Sequence, residues 1–172
     1  ALLLLAGLQH RADVGAGRSP LPMQALIPTG LPFAGVTVDP AAYAPEDRPA
    51  GLAELAAAGF GFVRLRFDWG ALEPQPGVYA WEEADAWIAA IAAARLVPLV
   101  VLDGSPAWAR AAQDRSPTDN PLAPPADPLD LARFAGAFAA RYGEQVRFYQ
   151  VWDEPNIAPH WGNRLIEPVA YA

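Results

Sequence analysis

Two adjacent carboxylates follow an apolar segment in the stretch VRFYQVWDEPNIAPHW, residues 146–161. The alternating apolar run ends at Trp152, and Asp153 and Glu154 come directly after it. Because burying an unpaired carboxylate costs several kcal/mol, we expect Glu154 to lie at the surface end of a strand. Pro155 lacks a backbone donor and prevents the strand from continuing. A carboxyl group in such a place is a candidate for acid/base chemistry.

Polar and aromatic residues also follow the other predicted strands. The candidate site residues are Arg66, Asp68 and Trp69 after the second strand, Asp103 and Trp108 after the third, and Asp153, Glu154, Asn156, His160 and Trp161 after the fourth. Because the carboxyl ends of parallel strands meet at one rim, we expect these side chains to converge. Carboxylates and amides hydrogen-bond hydroxyl groups, and indole faces stack on the C–H faces of sugar rings. The set therefore predicts a polyhydroxylated ligand.

Each of these residues also has a purely structural interpretation. A tryptophan packs in a core or at its rim more often than it binds a ligand. Arg66 and Asp68 could form an ion pair with no further role. Glu154 could cap the next helix, and Glu73, in the loop LEPQPG, is expected to be solvated or to cap a turn. The burial and contacts of each side chain separate these interpretations.

Alternating strands and helices position the candidate residues. We predict strands at 33–38, 60–69, 97–103 and 145–152, helices at 51–59, 81–96 and 128–143, and the opening turn of a further helix at 167–172. The near-continuous apolar run VPLVVLD is typical of a strand buried on both faces. The alternation predicts an α/β fold with a parallel sheet, either doubly wound or a (β/α)8 barrel. A nucleotide-binding sheet would carry a Gly-rich turn after its first strand, and VTVDPAAYAP has none.

Composition excludes several classes of site. The chain of 172 residues has a net charge of −7, and all 12 of its basic residues are Arg. Because phosphate binding needs clustered positive charge, we expect no nucleic-acid partner. The absence of Cys removes disulfides, thiolate metal sites and Cys nucleophiles, and 2 His residues are too few for a His-rich metal site. We therefore expect no thiolate or His-rich metal site.

The stretch VWDEPN resembles the WNEPN motif of clan A, a clan of retaining glycoside hydrolases built on the (β/α)8 barrel. The resemblance is greatest to its β-xylosidase and α-L-iduronidase family. It covers about residues 33–172 and extends upstream of the motif. Arg66 matches an Arg at the end of the clan's second strand, and Pro106 and Trp108 match the P-x-W after its third strand.

This resemblance implies a fold and a mechanism. The fold is the N-terminal half of a TIM (β/α)8 barrel, about four βα units. Glu154 matches the clan's acid/base, which serves a double displacement that retains configuration and requires neither a metal nor an organic cofactor. The residues implied in substrate binding are Arg66, Asp68, Trp69, Trp108, Asp153, Asn156, His160 and Trp161. The clan's nucleophile is a Glu at the end of the seventh strand, so we expect the chain to be a fragment that is inactive alone.

One residue departs from the clan's motif. Asp153 stands where the clan usually has an Asn that hydrogen-bonds the sugar 2-hydroxyl. A second negative charge beside Glu154, together with the expected half-burial of Glu154 among Trp152 and Trp161, suits a general acid. The departure also keeps an alternative open, namely a non-catalytic carbohydrate-binding or surface-recognition module on the same fold.

The sequence divides into three predicted segments. Residues 1–8 form an apolar run that is typical of the tail of a signal peptide or membrane anchor, with a buried N-terminal segment as the alternative. Residues 9–32 are rich in Gly and Pro and are predicted to be a linker. Residues 33–172 form the partial glycosidase-like catalytic domain. This organisation predicts an extracellular or cell-surface protein, secreted or membrane-anchored, whose substrate is an oligo- or polysaccharide or another glycoside.

Overall fold

Four parallel strands form one sheet, in the order in which they occur along the chain. The computed structural model describes residues 32, 34–115 and 121–162, all within one compact unit, Leu31–Ile166. The strands are β1 Gly35–Val38, β2 Phe62–Asp68, β3 Val97–Asp103 and β4 Phe148–Val151. A helix lies in each connection between neighbouring strands, which is the arrangement of successive βαβ units.

The helices begin where the sequence supplies start signals. They are α1 Arg48–Ala57, α2 Trp69–Leu72, α3 Glu82–Ala93 and α4 Pro128–Tyr142, with short 3-10 turns at Pro40–Ala42 and Ala112–Asp114. At the start of α4, the carboxylate of Asp127 accepts a hydrogen bond from the amide of Leu129 at 2.9 Å. Pro128 occupies the first turn, where no backbone donor is needed.

The two faces of the sheet differ in chemistry. The residues of β2 that are buried against the helices are Val63, Leu65 and Phe67. The alternate residues on the opposite face are Arg64, Arg66 and Asp68. This alternation follows from the period of two of a strand. The parallel register pairs Arg66 with Val101, and Val101 with Gln150, so the second face continues across β3 and β4. We refer to it as the polar face.

The hydrophobic core lies between the sheet and the helices, and its largest members are aromatic. Phe138 of α4 is 0 % exposed. Its ring centroid lies 5.6 Å from that of Phe67 on β2 and 6.2 Å from that of Tyr149 on β4. One helix side chain thus contacts two strands of the sheet. The packing of α4 therefore holds β4, and the chain that follows it, in register with the rest.

The predicted order of strands and helices is confirmed, with some differences in length. Strand β4 begins at Phe148 rather than at 145, because the amides of Gln145 and Val146 both donate to the carbonyl of Tyr142, at 2.8 and 2.7 Å, in the turn after α4. Helix α1 begins at Arg48 rather than at 51, since a proline in its first turn is compatible with helix geometry.

Several predicted segments lie outside the described residues. They are the apolar run at 1–8, the linker at 9–32 apart from Pro32, and the last helix at 167–172. The division of the chain into three segments therefore stays a prediction. Within the described ranges, no helix combines the length and the apolar character needed to cross a membrane.

Candidate active site at the strand ends

Arg66 lies between two carboxylates at the carboxyl end of the sheet. Its Nε donates a hydrogen bond to Asp103 at the end of β3, and its Nη2 lies 3.7 Å from Oδ2 of Asp68. Asp103 is 1 % exposed, and this burial raises its pKa although Arg66 opposes the shift. Burial also raises the pKa of Asp68, although the hydrogen bond from the amide of Ala71 and the charge of Arg66 act to lower it. The predicted Arg66–Asp68 ion pair is present, and Asp103 is the nearer partner.

Local backbone geometry brings Asp68 into this cluster. Its Oδ1 accepts a hydrogen bond from the amide of Ala71 at 2.8 Å, so Asp68 ends β2 and caps α2. Gly104, directly after β3, has a φ of +77° and lies against the Asp68 carboxylate and the Arg66 guanidinium. A Cβ at this position would overlap Asp68. Glycine is therefore required for both the backbone conformation and the space.

Two polar side chains of the polar face hold Asp153. Nη2 of Arg64 donates to its Oδ1 at 2.6 Å, and Nε2 of Gln150 donates to the same oxygen at 2.9 Å. Nε of Arg64 also donates to Oε1 of Gln150 at 3.2 Å, which closes the network. Partial burial acts to raise the pKa of Asp153, but the hydrogen bonds and charge of Arg64 outweigh it, and the pKa lies below its usual value. Asp153 is therefore ionised at neutral pH.

Glu154 points toward solvent beyond the end of β4. Its side chain is 54 % exposed, and its Oε2 lies 3.3 Å from Nε2 of His160. The backbone turns here, because Trp152 and Glu154 have φ values of +63° and +47°, which residues other than Gly rarely adopt. Glu154 was expected to be half-buried among Trp152 and Trp161, and slightly more than half of its side chain is exposed. Those two indoles pack on each other instead, with ring centroids 5.8 Å apart.

Two of the three tryptophans predicted to bind substrate are buried. Trp69 is 0 % exposed and stacks on Phe134 with ring centroids 5.5 Å apart, because it starts α2 with its side chain in the helix-facing core. It has no free face for a ligand, contrary to the prediction. Trp161 is 6 % exposed, so it has little surface that a ligand could contact. Trp108 is only partly buried, and its Nε1 donates to the carbonyl of Glu73 at 3.0 Å.

The remaining polar candidates divide into exposed and structural residues. Asn156 is exposed in the loop after β4, and His160 is partly exposed. Glu73 is buried, where its Oε2 accepts from Nε1 of Trp69 at 2.6 Å and its Oε1 accepts from the amide of Gly77 at 2.7 Å. The turn-capping interpretation of Glu73 is thus confirmed, and the solvated one is wrong.

Two residues of the network, Arg64 and Gln150, are absent from the set predicted from the sequence. Strand periodicity was the available signal, since Arg64 lies two residues before Arg66 and thus on the same face. Gln150 lies on that face because it pairs with Val101. Their link to Asp153 depends on the spacing of β2 and β4 across β3, which no local pattern contains.

The arrangement is suited to proton transfer and to hydrogen bonding of hydroxyl groups. Glu154 presents an exposed carboxyl group beside His160, Asp153 presents an ionised acceptor, and Arg66 fixes the carboxylates at the ends of β2 and β3. In the part of the chain that the structure describes, no three His, Asp or Glu side chains are grouped so that they could hold a metal ion.

Among known proteins, the chain is similar to solved structures. No protein-family model matches the chain, and neither does any curated protein. Solved structures do match it. One is a family 39 glycoside hydrolase from the gut symbiont Bacteroides cellulosilyticus WH2, which is 25 % identical and has a TM-score of 0.59. The match covers 72 % of this chain and 24 % of that one.

Two further solved structures show the same relationship. The GH39 enzyme from Xanthomonas axonopodis pv. citri is 24 % identical, with a TM-score of 0.56, over 83 % of this chain and 32 % of that one. The exo-β-1,4-mannosidase Op5Man5 from Opitutaceae bacterium strain TAV5 is 18 % identical, with a TM-score of 0.52, over 75 % and 26 %. The chain thus spans no more than 32 % of the length of these three structures. Its structural neighbours are glycoside hydrolases, and its parallel sheet with alternating helices is part of a (β/α)8 barrel.

Proposed function

We propose that the protein is a glycoside hydrolase in which Glu154 is the acid/base of a retaining mechanism. The observation that carries the proposal is the position of Glu154, an exposed carboxyl group at the carboxyl end of β4. In (β/α)8 barrel enzymes the active site lies at this end of the strands. The similarity of the chain to solved glycoside hydrolases supports the same reaction class.

Glu154 acts twice in the proposed reaction. In the first step it protonates the glycosidic oxygen as the bond to the anomeric carbon breaks and a carboxylate nucleophile bonds to that carbon. In the second step it takes a proton from the water that attacks the anomeric carbon and releases the nucleophile. The exposure of Glu154 gives a leaving group access, and Nε2 of His160 lies 3.3 Å from its carboxyl group.

The nucleophile is proposed to come from outside the four strands of this sheet. In the clan that VWDEPN resembles, it is a Glu at the end of the seventh strand. The carboxylates of Asp68, Asp103 and Asp153 each pair with an Arg here, and we assign them to the support of the site. The activity is thus a property of a protein that supplies the other strands. We expect the 172-residue chain alone to be inactive.

The residues around Glu154 are proposed to hold the sugar. Asp153 and Asn156 accept or donate hydrogen bonds to hydroxyl groups, and Trp108 offers a partly exposed indole face. Arg66 keeps the carboxylates at the ends of β2 and β3 in place. The proposed substrate is an oligo- or polysaccharide or another glycoside. An extracellular or cell-surface location belongs to the same proposal, on the basis of the apolar run at residues 1–8.

Glu154→Gln in the whole protein tests the proposal. An amide cannot protonate the leaving oxygen, so kcat for glycosides with alkyl or sugar leaving groups should fall by about 10²–10⁴-fold. Glycosides with a nitrophenolate leaving group need less acid assistance and should lose less in their first step. Sugar binding should be retained. Glu144→Gln, at an exposed site beyond α4, is the matched control and should leave kcat unchanged.

The alternative function, a non-catalytic carbohydrate-binding module, is favoured by one observation. Asp153 replaces the clan's Asn and is ion-paired with Arg64 at 2.6 Å, so this part of the site differs from that of the enzymes it resembles. A binding module would hold sugars without turnover in the wild type, and Glu154→Gln would then have no catalytic effect. Turnover by the wild type that Glu154→Gln removes would exclude this alternative.

A further inference from the structure

Arg64 and Asp153 form an ion pair on the polar face that is largely withdrawn from solvent. Their side chains are 23 % and 24 % exposed, and Nη2 of Arg64 lies 2.6 Å from Oδ1 of Asp153. The pair joins β2 to the end of β4 across the intervening strand β3. Water screens such a pair less than one on an open surface. The pair therefore fixes the position of Asp153 relative to the sheet.

The hydrogen bonds to Asp153 engage only one of its oxygens. Arg64 and Gln150 both donate to Oδ1, and Oδ2 has no hydrogen bond from any residue that the structure describes. An ionised carboxylate can only accept hydrogen bonds, whereas the amide of an Asn both donates and accepts. Oδ2 of Asp153 is thus suited to a ligand group that donates, such as a hydroxyl.

We propose that Arg64, together with Gln150, is a positioning residue that holds Asp153 as a dedicated acceptor for one sugar hydroxyl beside Glu154. The inference rests on the glycosidase function proposed above. Gln150 extends the network to the turn that carries Glu154, because its Nε2 also donates to the carbonyl of Trp152 at 3.0 Å. Arg64 thereby acts on the site through Asp153 and through the turn, without touching the reacting atoms.

The charge of Arg64 compensates that of Asp153. An Asn at this position is neutral, and an unpaired Asp would add a negative charge beside the acid/base. Paired with Arg64, Asp153 brings the formal charge of the pair back to zero. The lowered pKa of Asp153 agrees with this arrangement, since Arg64 offsets the cost of burial. The pair is thus neutral overall, as an amide would be, but Asp153 can only accept hydrogen bonds.

This chemistry specifies the ligand further. The hydroxyl that meets Oδ2 must be free, because an O-methyl or O-acyl group has no proton to donate. A deoxy sugar bound at this contact would cover Oδ2 and displace water without donating a hydrogen bond to it, which costs affinity. The proposed substrate is therefore a glycoside that is unsubstituted at this contact.

The experiment compares the whole protein with its Arg64→Met, Asp153→Asn and double variants, and records KM and kcat for an aryl glycoside from pH 4 to pH 8. Removing the guanidinium should raise the pKa of Asp153, so that Arg64→Met loses affinity as the solution is acidified while the wild type does not. We expect KM of Arg64→Met to rise by about ten- to hundredfold at the acidic end. In the Asp153→Asn background the same substitution should change KM by less than about threefold, since no charge remains to be held.

Two variants serve as controls, and a third can replace Arg64→Met. Arg64→Lys keeps the charge and should restore most of the pH profile, and Arg64→Gln replaces Arg64→Met if that variant fails to fold. Arg133→Met removes an exposed Arg that pairs with Asp130 on α4 and should behave as the wild type. The inference would be overturned if KM of Arg64→Met followed the same pH dependence as KM of the wild type. It would also be overturned if Arg64→Met changed KM equally with Asp153 and with Asn at position 153. Neither result would overturn the proposed function. A wild type with neither turnover nor sugar binding would overturn the proposed function and the inference with it.

Discussion

Positive backbone φ values at Trp152 and Glu154 flank Asp153 and turn the chain at the end of β4. Each such residue costs about 1–3 kcal/mol unless its surroundings hold it. Trp152 is held by burial and by a hydrogen bond from its Nε1 to the carbonyl of His160 at 2.6 Å. Glu154 is held by the contact of its side chain with His160 at 3.3 Å and by a hydrogen bond from the amide of Ile157 to its carbonyl at 3.2 Å. At the scale of the residue, contacts with the loop after β4 thus hold both positive-φ residues.

The ion pair of Asp153 predicts a pH dependence of stability. Its folded-state pKa lies below the ordinary value of 3.8, so the pair contributes stability that is fully present above that pH and is lost as the pH falls through the folded-state value. Asp153→Asn should lower the free energy of unfolding at pH 7 by about 1–3 kcal/mol and make its decline below pH 4 shallower. Urea denaturation at a series of pH values measures both effects. Asp47→Asn, at an exposed site with no side-chain cap, should change neither the free energy of unfolding at pH 7 nor its decline below pH 4. If Asp153→Asn also left both unchanged, the prediction would be contradicted.

Gly104 predicts a second effect at this scale. Its φ of +77° and its contact with the Asp68 carboxylate leave no room for a side chain. Gly104→Ala should therefore lower the free energy of unfolding by about 1–3 kcal/mol. Gly136, exposed in the middle of α4 with nothing near its missing Cβ, is the matched control. Gly136→Ala should instead raise the free energy of unfolding by about 0.5–1 kcal/mol. Equal effects of the two substitutions in denaturant melts would refute this account of Gly104.

At the scale of the element, α4 decides where β4 and the proposed acid/base lie. Its start could be predicted from Asp127 and Pro128, because caps are local. The start of β4 could not, because the alternation of polar and apolar residues in QVRFYQVW fits a strand from Gln145, while the amides of Gln145 and Val146 complete the turn after α4. A pattern of side chains does not show which carbonyl an amide will bond.

Truncating Phe138 tests the role of α4. This residue is fully buried and contacts both β2 and β4. Phe138→Ala should cost about 3–5 kcal/mol of folding free energy, through lost burial and the cavity that remains. Leu129→Ala on the same helix, where the side chain is 63 % exposed, should stay within about 0.5 kcal/mol of the wild type. Thermal and urea melts compare the two, and a small loss for Phe138→Ala would mean that α4 does not anchor β4.

At the scale of the whole molecule, the sequence predicted the parallel α/β sheet because its strands and helices differ in period. Placing Glu154, Arg66 and Asp68 at strand ends followed from the same pattern. The pattern did not assign Trp69 to the core, because an indole suits both a core and a sugar site. Nor did it reveal the link between Arg64 and Asp153, which exists only once β2, β3 and β4 are in register.

The most direct test of the proposed glycosidase is hydrolysis by the whole protein, with the anomeric form of the first product recorded. The whole protein would be incubated with a panel of aryl α- and β-glycosides and followed by proton NMR before the released sugar mutarotates. We expect turnover of at least one glycoside with retention of configuration, as a double displacement through Glu154 requires. Release of the inverted anomer would contradict the retaining mechanism. Binding of sugars with no hydrolysis of any of them would contradict the enzyme and favour a carbohydrate-binding module.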